Sequence, residues 1–258
     1  MILLITTIIG LCYGSFLNVL VYRLPKSLSI LKPRSFCPIC KEFIPIYRNI
    51  PILSFILQLG KCFNCKKRIS IQYPVVEFIT GFLWFWFFHT IPQDYNFEII
   101  SDIIFSIIMV SFLIPLAIID SKHLYFPFSL IIPLIIISIS SLILDYIFLF
   151  DWFESLLGLT LAVIFLASIY FIVKVWLKLK GRDETPMGFG DILLIIPLGI
   201  WLGPLNILLC FLTSSILALL TWITLYFLIN FEFNSKMPFG PYLIISSILI
   251  KILNLNII

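Results

Sequence analysis

The sequence predicts an all-α polytopic membrane protein of about eight transmembrane helices, with one small polar insertion between the first two. Three observations carry that expectation. The chain is 61% hydrophobic and only 12% charged, its mean hydropathy is +1.14, and long apolar runs recur along its 258 residues. Soluble domains carry about 25% charged residues, whereas about 20 consecutive apolar residues suffice to cross a bilayer as a helix.

The first run, ILLITTIIGLCYGSFLNVLVY, covers about 2–22. It has no basic segment before it and no small-residue cleavage site after it, so it reads as a retained span and not as a removed signal peptide. Within it, Asn18 is placed to hydrogen-bond across helices and Gly14-Ser15 to permit close packing. The second span covers about 74–91, and its aromatic cluster over 83–88 reads as lipid-facing or interfacial. His89 falls at its outer end. Further spans are expected at about 99–120, 127–149, 152–178, 190–203, 205–230 and 239–256. Gly203-Pro204 is the turn signal that separates the sixth from the seventh. The sixth is short and contains Pro197, which suggests a tilted or kinked element packed within protein. Cys12 and Cys210 lie in spans and read as small apolar packing residues.

Charge orients the bundle. Sixteen of the 17 Lys and Arg residues lie in or beside 23–73, 120–126, 178–189 and 231–238; Lys251 is the exception. Eight spans put all four segments on one side, and Asp94, Glu98, Asp145, Asp151 and Glu154 on the other. By the positive-inside rule the basic side is cytoplasmic and both termini face outward. The excess of Lys and Arg is therefore a topological signal, and no nucleic-acid partner is implied.

The insertion, 23–73, holds Cys37-Pro-Ile-Cys40 and Cys62-Phe-Asn-Cys65. Two such knuckles can close a tetrahedral Zn²⁺ site, each giving two thiolates from a tight turn. A pair of disulfides competes with this reading, but a cytoplasmic segment is reducing. A thioredoxin-like redox site would need one CxxC in a βαβ context, which the pattern does not offer. The segment is too short for a large core, so structural zinc would supply much of its folding energy.

Two aspartates stand at the ends of apolar runs: Asp120 in LAIIDSKHLYFPF and Asp191 in MGFGDILL. The expected topology puts both at the cytoplasmic membrane face. Held close in a low-dielectric site, two carboxyl groups share a proton. One then activates water while its protonated partner polarises a scissile carbonyl. Gly188 and Gly190 would let a substrate strand approach the backbone. Each aspartate can equally be a helix cap or a solvated charge, and composition and spacing leave both readings standing. His123, three residues after Asp120, reads as a solvated loop residue. Glu77, just inside the second span, is either a first-turn carboxylate or a group that binds a cofactor or a substrate amine.

An ordered series of motifs resembles the bacterial type IV prepilin peptidases, the prepilin leader peptidase/N-methyltransferases. It runs from Gly14-Ser15-Phe16-Leu17-Asn18-Val19 and Tyr22-Arg23-Leu24-Pro25 through both CxxC knuckles, which flank Asn49-Ile50-Pro51-Ile52-Leu53-Ser54. Ile69-Ser70 and Tyr73-Pro74-Val75-Val76-Glu77 follow, then Ile119-Asp120 and Pro127. Gly188-Phe189-Gly190-Asp191, Leu198-Gly199, Trp201-Leu202-Gly203 and Pro238-Phe239-Gly240-Pro241 complete it.

The resemblance implies a GxGD-type membrane aspartic protease of the bacterial inner membrane. Such an enzyme cleaves the leader of type IV prepilins or pseudopilins on the cytoplasmic side, with Asp120 and Asp191 as the catalytic pair. It also implies methylation of the new N-terminus from S-adenosylmethionine, associated with the Cys37, Cys40, Cys62 and Cys65 module. On this view 1–22 is the first helix, 23–73 the cytoplasmic module, and 74–258 the peptidase bundle. Three positions depart from the usual pattern. Phe126-Pro127-Phe128 stands where the family often has Leu-Pro-Asp, Arg48 where it often has Asp, and Gln72 where Arg is usual. The last two fall in the part linked to methylation, which leaves a peptidase without methylation as one alternative. A noncatalytic, zinc-containing membrane scaffold is the other.

Overall fold

The computed structural model describes residues 2–91, 96–148, 150–182, 185, 187–229 and 237–254. Asp94 and Lys236, two of the charges used above, lie outside the described residues. Regular structure among the described residues is helical, apart from two isolated β-bridges. A helix occupies each expected span: α1 (Ile2–Arg23), α3 (Gln72–His89), α4 (Phe97–His123), α5 (Phe128–Ile147), α6 (Trp152–Leu179), α7 (Phe189–Leu202), α8 (Pro204–Ile229) and α9 (Gly240–Asn254). A short helix within the insertion, α2 (Leu53–Leu57), was not expected. Among the described residues, five helices are long and apolar enough to cross a membrane: Ile2–Lys26, Phe97–His123, Phe128–Ile147, Trp152–Leu179 and Pro204–Leu228. The protein is a multi-pass membrane protein. α7 and α9 are shorter apolar helices.

Local chemistry sets the ends that matter. α4 continues one turn past Asp120, because Leu124 adopts φ +57° and returns its N–H to the Asp120 carbonyl at 2.9 Å. Pro127 follows as the N-cap of α5. Gly203, with φ +75°, makes the break between α7 and α8 in a conformation that L side chains rarely adopt, and Pro204 opens α8.

The chain divides into two compact units, Met1–Pro115 and Leu116–Ile258. In the first, α1 packs along α3. Lipid tails are as apolar as leucine, so this association depends on close approach. A Cβ on Gly14 would come within 2.7 Å of the Glu77 Cα, and one on Gly81 within 2.6 Å of Leu11 Cδ2. The aromatic stretch of α3 divides by helical period and does not face lipid as a block. Leu83 and Phe87 are buried, the Trp84 indole donates to Ser111 Oγ at 3.3 Å, and Phe78 and Phe82 are exposed.

In the second unit α7 packs against α5, α6, α8 and α9, and Leu194, Ile195 and Leu198 on it are fully buried. Gly158 of α6 and Gly199 of α7 meet backbone to backbone: a Cβ on Gly199 would lie 2.9 Å from Leu159 Cα and 3.0 Å from the Gly158 carbonyl. The short, Pro197-bearing helix is thus packed within protein. Thr221 Oγ1 donates to the Tyr242 hydroxyl at 2.8 Å and joins α8 to α9. Cys210 is buried with its thiol directed at the Leu243 carbonyl, whereas Cys12 is exposed.

Candidate active site and cysteine module

Asp120 lies in the last turn of α4, 5% exposed, and Asp191 in the first turn of α7, half-buried. Folding of the second unit brings these distant residues to one place, around Phe126: Gly190, next to Asp191, and Gly240, against Asp120 Oδ2, both abut its ring. Asp191 is not the N-cap. Gly188 holds that position, and the Asp191 carboxylate, three residues on, lies beside it and faces its N–H. This is the placement of the back-reaching residue of a capping box. Asp120 faces the Gly240 N–H at the start of α9, while its buried Oδ2 has no hydrogen-bond partner among the described residues. An orphaned carboxylate oxygen beside a second carboxyl is an arrangement that a shared proton, a water or a substrate group would complete.

Phe126, 7% exposed, closes the site from one side. A Cβ on Gly190 or on Gly240 would run into the Phe126 ring, and one on Gly240 would also lie 2.6 Å from Asp120 Oδ2. Gly188 is open except toward Asp191 Oδ2, at 3.2 Å from an added Cβ. The GFGD glycines therefore differ: Gly190 is there for a packed ring, and Gly188 leaves space beside the carboxylate. His123 is exposed, with its ring 6.3 Å from that of Tyr125.

In the first unit the sulfurs of Cys37, Cys40, Cys62 and Cys65 lie within 4.8 Å of one another, and all four are free thiols. The two knuckles repeat one local design. Cys37 N–H donates to the Glu42 carbonyl and Lys41 N–H to the Cys37 carbonyl; Cys62 N–H donates to Lys67 and Lys66 N–H to Cys62, all at 2.9 Å. Lys41 and Lys66 both take positive φ, and the bridges Phe36–Phe43 and Lys61–Arg68 close the two turns. Zn–S bonds of about 2.3 Å in a tetrahedron place sulfurs roughly 3.8 Å apart, so the donor set fits zinc; Cys37 and Cys65 are already 4.0 Å apart. The Cys65 N–H facing the Cys62 sulfur, with that of Asn64 beside it, holds the Cys62 thiol down to about 7. The Lys67 N–H faces Cys65, yet burial and the neighbouring sulfurs push that thiol up to about 11.

Buried polar groups tie this module to the helices. Glu77, 7% exposed, accepts the Ile52 N–H on Oε2 at 2.7 Å, holding Ile52 at φ +60°, unusual for a β-branched residue. Asn18 donates to the Tyr73 carbonyl at 3.1 Å, a bond from α1 to α3. Arg23, 4% exposed, donates to the carbonyls of Ser29, Ile30, Pro33 and Arg34 and lies over the Phe36 ring.

Residues 8–91 match the bacterial peptidase A24 N-terminal domain, and 107–223 match the type IV leader peptidase family. A prepilin leader peptidase/N-methyltransferase of Neisseria gonorrhoeae is 32% identical over 94% of this chain and 87% of its own length. The chain belongs to the type IV leader peptidase family. A protein of the same description from Legionella pneumophila is 29% identical over 95% of this chain and 89% of its own. One from Myxococcus xanthus is 35% identical over 76% of this chain and 54% of its own. No solved structure matches.

For a member of this leader peptidase family, the sequence made the two aspartates and four cysteines visible and left their neighbours unassigned. Phe126 appeared only as a departure from Leu-Pro-Asp, and Gly240 only as part of a C-terminal motif. Arg23 counted as a loop charge, and the structure makes it a buried carbonyl anchor. The signal for Phe126 and Gly240 lay in their neighbours Pro127 and Pro241, which mark helix starts.

Proposed function

We propose that this protein cleaves the leader of a type IV prepilin or pseudopilin through Asp120 and Asp191, then methylates the new N-terminal amine. The observation that carries the peptidase reading is the pairing of two carboxyl groups, one with an orphaned buried oxygen, beside the glycine-containing start of α7. The ionised carboxylate takes a proton from water as the water oxygen attacks the scissile carbonyl carbon. The protonated partner hydrogen-bonds to the carbonyl oxygen as it gains charge. Collapse of the tetrahedral intermediate breaks the C–N bond, and the leaving amine takes up a proton from the pair. Gly188 leaves room for an extended substrate strand along the carboxylates.

Cys37, Cys40, Cys62 and Cys65 would hold a structural Zn²⁺ that cross-links the two knuckles. S-adenosylmethionine would supply the methyl group. Glu77 commits one carboxylate oxygen to the Ile52 N–H. Glu77 is accordingly assigned to holding the module on α3. The eight apolar helices all cross the bacterial inner membrane in this proposal, with the basic segments, the cysteine module and both aspartates on the cytoplasmic side.

The test is processing of a purified prepilin, read by mass spectrometry. Asp120→Asn and Asp191→Asn are each expected to abolish leader removal, with unchanged thermal unfolding in detergent. Full cleavage by either variant would exclude the aspartyl mechanism. The same spectrum reports methylation as one added methyl group on the mature N-terminus.

A further inference from the structure

We propose that the Pro238-Phe239-Gly240-Pro241 turn, together with Phe126, is a positioning device for Asp120: the Gly240 N–H holds the carboxylate, and the Phe126 ring sets the distance between the starts of α7 and α9. This rests on the aspartyl reading above. Gly240 is the first residue of α9, where backbone N–H groups have no partner within the helix and the dipole favours an anion. Pro241 follows it without a donor of its own, so the donor that faces Asp120 is that of Gly240. The anion is supplied by Asp120, 95% buried by its 5% exposure, whose Oδ2 is unpartnered among the described residues.

Space at this point is fully used. A Cβ on Gly240 would meet Asp120 Oδ2 and the Cζ tip of Phe126, and one on Gly190 would meet the base of the same ring at Cδ2, Cγ and Cβ. The ring is therefore a spacer between the two helix starts that flank the carboxyl pair. With the N–H on one side and the ring on another, Asp120 has one position. Gly240 and Phe126 act through Asp120 and need not touch the substrate.

The test uses the full-length protein in detergent with a purified prepilin, and separates space from the hydrogen bond. Gly240→Ala keeps the N–H but adds the methyl; kcat is expected to fall about a hundredfold, the usual cost of misplacing a catalytic group by about 1 Å, with little change in KM. Adding Phe126→Leu to Gly240→Ala makes room and is expected to restore most of that kcat. Gly240→Pro with Phe126→Leu has the same room but no N–H, and kcat is expected to stay low although thermal unfolding matches the alanine double variant. Equal kcat for the two double variants would overturn the role of the N–H. Wild-type kcat for Gly240→Ala, or no recovery on adding Phe126→Leu, would overturn the spacer; these two comparisons decide even where the proline variant does not fold. Cleavage by Asp120→Asn would instead overturn the aspartyl reading itself, and the positioning role with it.

Discussion

Arg23 shows how much a residue's role depends on what folds around it. By sequence it is one more positive charge at the cytoplasmic end of a span, yet its guanidinium donates to four backbone carbonyls of the segment that leads into the first knuckle. A charged hydrogen bond contributes about 1.5–3 kcal/mol, and an orphaned carbonyl costs about 1–3 kcal/mol if buried. Arg23→Ala is therefore expected to lower stability by roughly 3 kcal/mol and to raise hydrogen exchange selectively at Cys37 and Ile44, whose N–H groups donate to Glu42 and Ser35 in the segment that Arg23 anchors. Arg23→Lys, which lacks the planar fork, should recover only part of that protection. Unchanged exchange in the alanine variant would show that the loop holds its shape without the anchor. Asp120, Asp191 and the cysteines were readable in advance because their chemistry is conspicuous: a charge at an apolar threshold, or thiols in paired CxxC turns. Phe126 and Gly240 are ordinary residues whose importance comes from contacts that are nonlocal in sequence.

At the scale of elements, the Gly158–Gly199 crossing does most to position Asp191, and the two knuckles shape the cysteine module. α7 carries Asp191, and α6 approaches it closely because Gly158 and Gly199 lack side chains. Gly199→Leu should destabilise the protein by about 1–3 kcal/mol through overpacking. Because it displaces the helix that bears Asp191, the cleavage rate should fall more than the melting temperature alone accounts for. A rate loss that tracks unfolding and nothing more would place this crossing outside catalysis. The helix positions were readable from hydropathy and Pro-Gly signals. The extension of α4 past Asp120 was not, because it depends on Leu124 taking positive φ. The knuckles make a separate prediction. The purified protein should hold one zinc per chain, and Cys37→Ser should remove most of it, since the loss of one thiolate leaves three donors. Chelation should increase protease cutting within 24–71 before it affects the helices, and undiminished zinc in Cys37→Ser would rule out this site.

For the molecule as a whole, the open structural quantity is which helices cross the membrane, and α3 decides it. Its 18 residues span about 27 Å at 1.5 Å per residue, just enough for a hydrocarbon core of about 30 Å. It is not among the five helices that qualify by length and hydropathy, in part because Glu77 and Thr80 lower its mean. Both polar groups are satisfied internally, Glu77 by the Ile52 N–H and Thr80 by the Val76 carbonyl at 2.7 Å, while the exposed positions include Phe78 and Phe82. What α3 presents outward is apolar, so it is expected to cross. The consequence reaches every later loop. With α3 crossing, residue 150 lies outside and residue 181 inside; if only the five longer helices cross, both are reversed. Alkaline phosphatase fused after Phe150 should therefore be active, and a fluorescent protein fused after Gly181 should glow. The opposite pair of results would show that α3 lies within the protein without spanning, and would remove the shared cytoplasmic side of the cysteine module and the aspartates.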